Sequence, residues 1–366
     1  MRFYSFLTFV LCAGLLSCQS NSSDTTASTT TDPSSTQAAA SETSVLTSKP
    51  EGEAPEGMVW VPGGQFMMGS NDETATEIEG PAHTVELSGF WMDVHEVTNA
   101  EFREFVDETG YVTIAERPID WEQMKQQLPP GTPKPPDDVL QPGSLVFDPP
   151  AHEVPLYDYS MWWSWKVGAN WQHPEGPGSS IEGKDNFPAV HIAYEDAQAY
   201  AKWAGKRLPT EAEYEFAANG GNSGHAFAWG DELTPSGKYL ANFFQGSFPY
   251  KNVGTDGFEG ASPVKSFPPN EYGLYDMIGN VWEWSSDWYR PDAHAQMSKI
   301  TVCRNPTGPE QSYDPQEPLT PKRVIKGGSY LCSKEYCSNY RPSARMATAV
   351  DSGQEHLGFR CVKEAG

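Results

Sequence analysis

All twelve tryptophans of this 366-residue chain fall between Trp60 and Trp288, and what precedes them is a different kind of polymer. Of the thirty residues from Gln19 to Ser48, seventeen are Ser or Thr and none is aromatic. Such a stretch buries too little apolar surface to offset the entropy of ordering it. Residues 19–57 are therefore expected to form a disordered tether, and residues 58–364 the folded body. In the whole chain 33 Gly and 31 Pro accompany 12 Trp, 16 Tyr and 17 Phe. Many turn formers with many large flat side chains point to one loop-rich α+β domain pinned by aromatics, not to a helical bundle or a regular βαβ array. A chain of this length can bury a substantial core without disulfides.

Before the tether lies MRFYSFLTFVLCAGLLSC, with Arg2 as its only charge and an apolar run from Phe6 to Leu16. The run is too short for a stable membrane span and fits a signal-peptide core. It ends Leu15-Leu16-Ser17-Cys18, which resembles a bacterial lipobox. Residues 1–18 are thus expected to be a lipoprotein signal, with Cys18 acylated and the body held at the cell envelope. The chain as a whole is strongly acidic, 49 Asp and Glu against 25 Lys and Arg, a formal charge of −24. That excludes a basic nucleic-acid face and argues against electrostatic docking on anionic lipid. A mean hydropathy of −0.56 excludes a polytopic membrane protein.

Within the body, MVWVPGGQFMMG reads as a strand, a Gly-Gly turn and a second strand. Thr98-Asn-Ala-Glu101 is a capping box that predicts a helix from Asn99 to about Thr109, stopped at Gly110. A second helix is expected from Glu195 to Ala204, and a third after the capping box Thr210-Glu-Ala-Glu213, through about Ala218. Pro118 to Pro155 is Pro-rich and reads as a surface excursion. No repeat of fixed period occurs. The eight His show no HExxH, and there is no GxSxG or phosphate loop, which disfavours a zinc hydrolase, a serine hydrolase and a nucleotide enzyme.

Six Cys are present, of which Cys12 and Cys18 belong to the signal. Cys332 and Cys337 stand five positions apart in GGSYLCSKEYC. A small disulfide, two inert thiols and a soft-metal site all fit that spacing. Two thiolates select Cu(I), zinc or an iron–sulfur centre. Zinc wants four protein ligands, or three and a water, and no second Cys pair or Cys/His knuckle lies nearby. A two-thiolate site suits Cu(I), which leaves room for a third sulfur.

The segments GPAHTVELSGFWMDVHEVTNAEF, VGANWQHPEGP, WAGKRLPTEAEYEFAANGG, NEYGLYDMIGNVWEWSSDWY, KGGSYLCSKEYC and HLGFRC resemble the formylglycine-generating enzyme (sulfatase-modifying factor) family. They occur in the family's order and cover nearly all of Met58 to Cys361. The resemblance implies a single loop-rich domain related to C-type lectins, with little regular secondary structure. It implies oxidation, with O2, of the Cys in a Cys-x-Pro-x-Arg stretch of an unfolded sulfatase polypeptide to Cα-formylglycine. Active family members carry two Cys at positions 332 and 337 and many fold relatives do not. By resemblance these two hold Cu(I), the substrate thiolate joins them, and a thioaldehyde formed after loss of a β-hydrogen hydrolyses to the aldehyde. Ser329 matches a serine beside that site, and its hydroxyl could orient O2 or a water. Trp282 and Tyr330 are candidates for an aromatic wall.

The resemblance also implies two structural Ca2+ ions. Asn242, Phe243, Asp256 and Phe258 match one site, and Asp276, Gly279, Val281 and Glu283 the other. The residue types agree, since Ca2+ takes roughly six to eight oxygens from carboxylates, amides and backbone carbonyls. Trp162 to Pro177 is assigned by resemblance to the substrate face, though core packing of its Trp side chains fits equally. The position before Leu357 is usually Asn in the family and is His356 here, which would add a group titrating near pH 6.5. Cys361 matches a Cys disulfide-bonded in some members. The usual partner position is Ala here, and a Cys303–Cys361 bridge is the substitute considered. A monomer is expected, with no nucleic-acid partner and a membrane contact only through the lipid. The competing readings are a non-enzymatic envelope lipoprotein and an iron-dependent sulfoxide synthase; the latter needs a His-rich helical domain that this chain lacks.

Overall fold

The computed structural model describes residues 48–365, so the signal and residues 19–47 of the tether lie outside the described residues. The three expected helices form at Asn99–Thr109, Tyr194–Trp203 and Glu211–Asn219. Thr98 and Thr210 accept from the Glu101 and Glu213 amides, and each glutamate reaches back to its cap residue. Gly110 and Gly220 end the first and third helices in the left-handed region. The second helix begins one residue earlier than the sequence suggests and has no side-chain cap, because Ala193 occupies that position; Asp196 takes the Ala193 amide instead.

Met58–Val61 and Gly64–Met68 are the two expected strands, but they do not pair with each other. The first lies on Phe90–Asp93, which also carries Val362–Lys363. The second lies on His83–Leu87, which also carries Cys303–Arg304. Gly63, at φ 50°, makes the swerve between the two sheets, and a Cβ there would sit 2.4 Å from the Gly89 nitrogen. A third sheet orders Met346–Ala349, Lys322–Lys326, Trp282–Trp288 and Leu357–Gly358. It sets antiparallel strands beside one parallel pair, Leu357–Gly358 on Trp282–Trp288.

One main core joins these sheets to the helices, with Phe102, Trp171, Tyr214, Trp284 and Phe359 fully buried. A smaller core of Val154, Trp162, Phe244, Phe248, Tyr330 and Leu331 lies beside the loop that carries Cys332. Residues 118–142 contain no buried position, as the Pro-rich composition predicts. The excursion ends sooner than expected. Gly143–Phe147 is a strand, paired with Trp163–Val167 and burying Ser144 and Val146. Its Ser-Leu-Val-Phe stretch has strand propensity that the neighbouring prolines mask.

Candidate active site

After the strand Lys322–Lys326 the chain turns through Gly327 and Gly328 at φ 91° and 77°. A Cβ on Gly328 would stand 2.8 Å from the Asn339 carbonyl oxygen, so the two sides of the loop close only over glycine. The turn delivers Ser329, whose carbonyl accepts from the Cys332 amide at 2.9 Å and whose own amide points at Cys332 Sγ at 3.4 Å. The Cys337 amide donates to the Ser333 carbonyl at 3.0 Å, folding the four-residue spacer back on itself. The result places Cys332 Sγ and Cys337 Sγ 2.8 Å apart. A disulfide needs about 2.05 Å, and both thiols are free.

The two sulfurs are unequal. Burial pushes the Cys332 thiol well above the usual thiol range. The hydrogen bond from Cys332 holds Cys337 below that range, and the Asn339 amide at 3.4 Å adds to it. Cys337 is thus the more acidic of the two and the first to give up its proton. Among the described residues no group of three or more His, Cys, Asp or Glu side chains forms a ready metal cage. Two soft donors with no third protein ligand fit a low-coordinate Cu(I) and do not fit closed zinc.

Ser329 and the two cysteines are thus brought together. Tyr330 is buried in the smaller core beside Trp162 and Leu331. Trp282 is fully buried in the main core, and its amide donates to the His356 carbonyl at 2.8 Å. His356, noted in the sequence only as a departure, lies in the site: its Nδ1 is 2.9 Å from Ser329 Oγ. Burial pushes it down to about 3, so it does not titrate near pH 6.5 as a solvated His would. The segment Trp162–Pro177 divides. Trp162 and Trp171 are core, the Trp163 ring lies tilted 4.8 Å from the His356 ring, and Trp165 is 42% exposed. Tyr336, in the cysteine loop, stacks on Phe248 at 4.8 Å and remains half open to solvent.

Two acidic loops suspend this loop. The Phe244 amide donates to the Cys332 carbonyl at 3.0 Å, the Gly279 amide to Gly327 at 2.9 Å, and the Tyr330 amide to Asn280 at 2.8 Å. In the first, Asn242 is buried and its Oδ1 has no partner. The Phe243 carbonyl and an Asp256 oxygen converge on one amide nitrogen of Gln245, and the Phe258 amide meets the other Asp256 oxygen at 3.0 Å. Converging oxygens and an orphaned buried acceptor fit a hard cation.

In the second loop, burial pushes Asp276, at φ 54°, up to about 6. Gly279 packs so close that a Cβ would be 2.3 Å from the Asn242 carbonyl oxygen, and Val281 is buried. Glu283 is held by Arg360 at 2.7 and 2.8 Å and by the Tyr214 hydroxyl at 2.9 Å. Glu96, which the sequence does not single out, joins them. It is fully buried, one oxygen accepts from Asn280 at 2.9 Å, and the other makes no hydrogen bond and has only the Arg360 guanidinium 3.8 Å away. Three buried carboxylates around Arg360 leave excess negative charge that a cation would balance. Only the run HEVTNAEF could have flagged Glu96, as an acid one turn before a capping box.

Cys303 donates to the Met297 carbonyl at 3.4 Å, Cys361 is buried, and both are free thiols, so the Cys303–Cys361 bridge is not formed. A cavity of about 460 Å3 lined by Tyr194, Lys202, Lys206 and Arg207 includes none of the site residues. Its Lys206 and Arg207 are already paired with Asp93 and with Glu213 and Glu364.

The sequence profile of the sulfatase-modifying factor enzyme 1-like domain matches residues 43–365. The formylglycine-generating enzyme of Mycobacterium tuberculosis is 47% identical over 307 residues, covering 84% of this chain and 97% of that protein. The inactive C-alpha-formylglycine-generating enzyme 2 of Bos taurus is 37% identical over 313 residues, covering 84% and 88%. Among solved structures, PvdO from Pseudomonas aeruginosa superposes with a TM-score of 0.51 at 24% identity, covering 84% of this chain and 94% of that one, a likeness of fold alone. With its cysteine loop slung between two acidic loops, the chain belongs to the sulfatase-modifying factor family of formylglycine-generating enzymes.

Proposed function

We propose that this chain is a sulfatase-maturing oxidase, converting a Cys in a Cys-x-Pro-x-Arg stretch of an unfolded sulfatase polypeptide to Cα-formylglycine with O2. The observation that carries the proposal is the pair of free, unequal thiols of Cys332 and Cys337, 2.8 Å apart and nearly enclosed. A scaffold that only bound a partner would have no use for them. The relatives include both active and inactive members, so the site decides.

Cys332 and Cys337 would hold a single Cu(I), which when bound supplies the one-electron chemistry that O2 requires. Cys337, the more acidic of the two, would bind first, and each thiol would lose its proton as a metal takes its place. Tyr336, in the cysteine loop, and Trp163, against His356, offer flat, partly open surfaces at the site, suited to an extended chain that arrives unfolded. The buried Trp162, Phe244 and Phe248 close the back of the site to water. Asn242, Phe243, Asp256 and Phe258, and Asp276, Gly279, Val281 and Glu283 with Glu96 nearby, would hold two Ca2+ ions that order the suspending loops. We further assign residues 1–18 as a lipoprotein signal, 19–57 as a tether and 58–364 as the catalytic body. The protein would work as a monomer on the envelope, anchored by acyl chains on Cys18.

The test is incubation of the copper-loaded protein with a Cys-x-Pro-Ser-Arg peptide in air. Mass spectrometry should show a loss of about 18 Da as thiol becomes aldehyde, by the atom balance of that reaction class. A peptide of unchanged mass beside a copper-saturated protein would eliminate the oxidase and leave the binding-scaffold reading.

A further inference from the structure

Ser329 sits at the start of a buried chain of hydrogen bonds that runs away from the sulfurs. Its Oγ is 2.9 Å from His356 Nδ1, and His356 Nε2 is 2.9 Å from Gln354 Oε1. The Gln354 amide nitrogen donates to Thr348 Oγ1 at 2.8 Å, which leaves its carbonyl facing the imidazole. A carbonyl oxygen only accepts, so Nε2 carries the ring hydrogen and Nδ1 is bare. Bare Nδ1 can only accept, so Ser329 gives its hydrogen to His356. The Leu331 amide meanwhile donates to Ser329 Oγ at 3.2 Å. One lone pair of Ser329 remains for whatever occupies the site, and no hydrogen.

No carboxylate stands behind this imidazole. Gln354 is neutral, and the Glu355 carboxylate is engaged by the Phe147 amide at 2.7 Å. His191, buried nearby, is itself held between Ser144 Oγ and the Pro174 carbonyl, both at 2.8 Å. The Trp163 ring covers His356. No anion contacts the ring and the ring is buried, which disfavours an imidazolium, so His356 is a fixed acceptor and not a proton carrier.

We propose that His356 is a positioning residue that sets Ser329 as a hydrogen-bond acceptor, so that a bound chain is received there through a donor, a backbone N–H or a thiol, and not through a carbonyl. This rests on the function proposed above and adds the polarity of one contact in it.

The test uses the full chain with 15N-labelled histidine. The His356 ring should show a protonated Nε2 and a bare Nδ1, unchanged from pH 5 to 9. A protonated Nδ1, or a titration midpoint inside that range, would overturn the proposal whether or not the protein turns a peptide over, so the two failures are distinguishable. The kinetic arm compares H356L, H356N, S329A and the double variant H356L/S329A on the thiol peptide. H356L should raise KM about tenfold with kcat within a few-fold, the order expected for one lost hydrogen bond. H356N, which keeps an acceptor, should recover most of it, and the double variant should be no worse than S329A alone. An unchanged KM in a folded H356L, or additive losses in the double variant, would contradict it.

Discussion

The cysteine loop and the acidic loops that suspend it are both short on regular structure, yet they satisfy their polar groups in opposite ways. In the cysteine loop each polar side chain of the site has a partner: Ser329 with His356, Cys332 with Cys337, Cys337 with Asn339. In the acidic loops two buried acceptors, Asn242 Oδ1 and Glu96 Oε2, make no hydrogen bond, and Glu96 Oε2 has only Arg360 at 3.8 Å. An unmet buried acceptor costs about 1–3 kcal/mol, more if charged. On the function proposed above an ion would complete the acidic loops, whereas the cysteine loop is complete without one. A metal at the sulfurs should serve chemistry, and a metal at the carboxylates should serve stability.

The sharpest way to break this contrast is to remove one sulfur. Cys337→Ser should abolish aldehyde formation, by roughly a thousandfold or more as expected for a group that acts at the reacting atoms. Its melting temperature should stay within a degree or two of wild type, since Ser fills nearly the same space. Turnover that survives the substitution, followed by mass spectrometry, would remove the sulfurs from the chemistry. Removing hard cations should do the reverse. Dialysis against EGTA should lower the melting temperature by about 5 °C, from a binding contribution on the order of 3 kcal/mol, while a Cu(I) chelator should leave it in place. Calorimetry with the two chelators in turn checks both halves, and equal shifts would erase the contrast. A smaller effect sharpens the second loop. Glu96→Gln removes one of three crowded carboxylates, so the EGTA-treated variant should melt a few degrees above EGTA-treated wild type, with little gain when Ca2+ is present.

The helices were legible because their signals are local. A Thr with a Glu three residues on, and a Gly one residue past the last turn, describe the cap completely, and Asn99–Thr109 formed as read. The strands at Met58 and Gly64 were legible as strands but not as neighbours. Their partners, Phe90–Asp93 and His83–Leu87, are set by long-range packing that no dipeptide records. Cys332 and Cys337 stood out by their spacing, but only the family resemblance singled out their role and Ser329 beside them. Glu96 and His356 were not assigned roles, although each lies within hydrogen-bond reach of a named site residue or its neighbour. They come from segments 184 and 27 residues away from the Asn280 and Ser329 that they touch, and single-sequence reasoning has no term for that distance.

Asp196 supplies the control that the open acceptors require, because it is an equally buried acid with a full set of partners. It accepts from the Ala193 amide at 2.9 Å, the Ile114 amide at 3.0 Å and the Tyr111 hydroxyl at 3.1 Å. Burial outweighs those bonds and pushes it from 3.8 to about 6. Between pH 3.8 and about 6 the unfolded chain gives up this proton while the folded chain keeps it. Its contribution to stability is therefore full below that window, falls as pH rises through it, and is flat above. Asp196→Asn, which keeps the amide acceptor and cannot ionise, should remove this slope from a plot of unfolding free energy against pH, a change on the order of 2 kcal/mol across the window. Neither chelator should alter it. If EGTA changed the slope attributed to Asp196, the separation between acids completed by hydrogen bonds and acids completed by an ion would not hold.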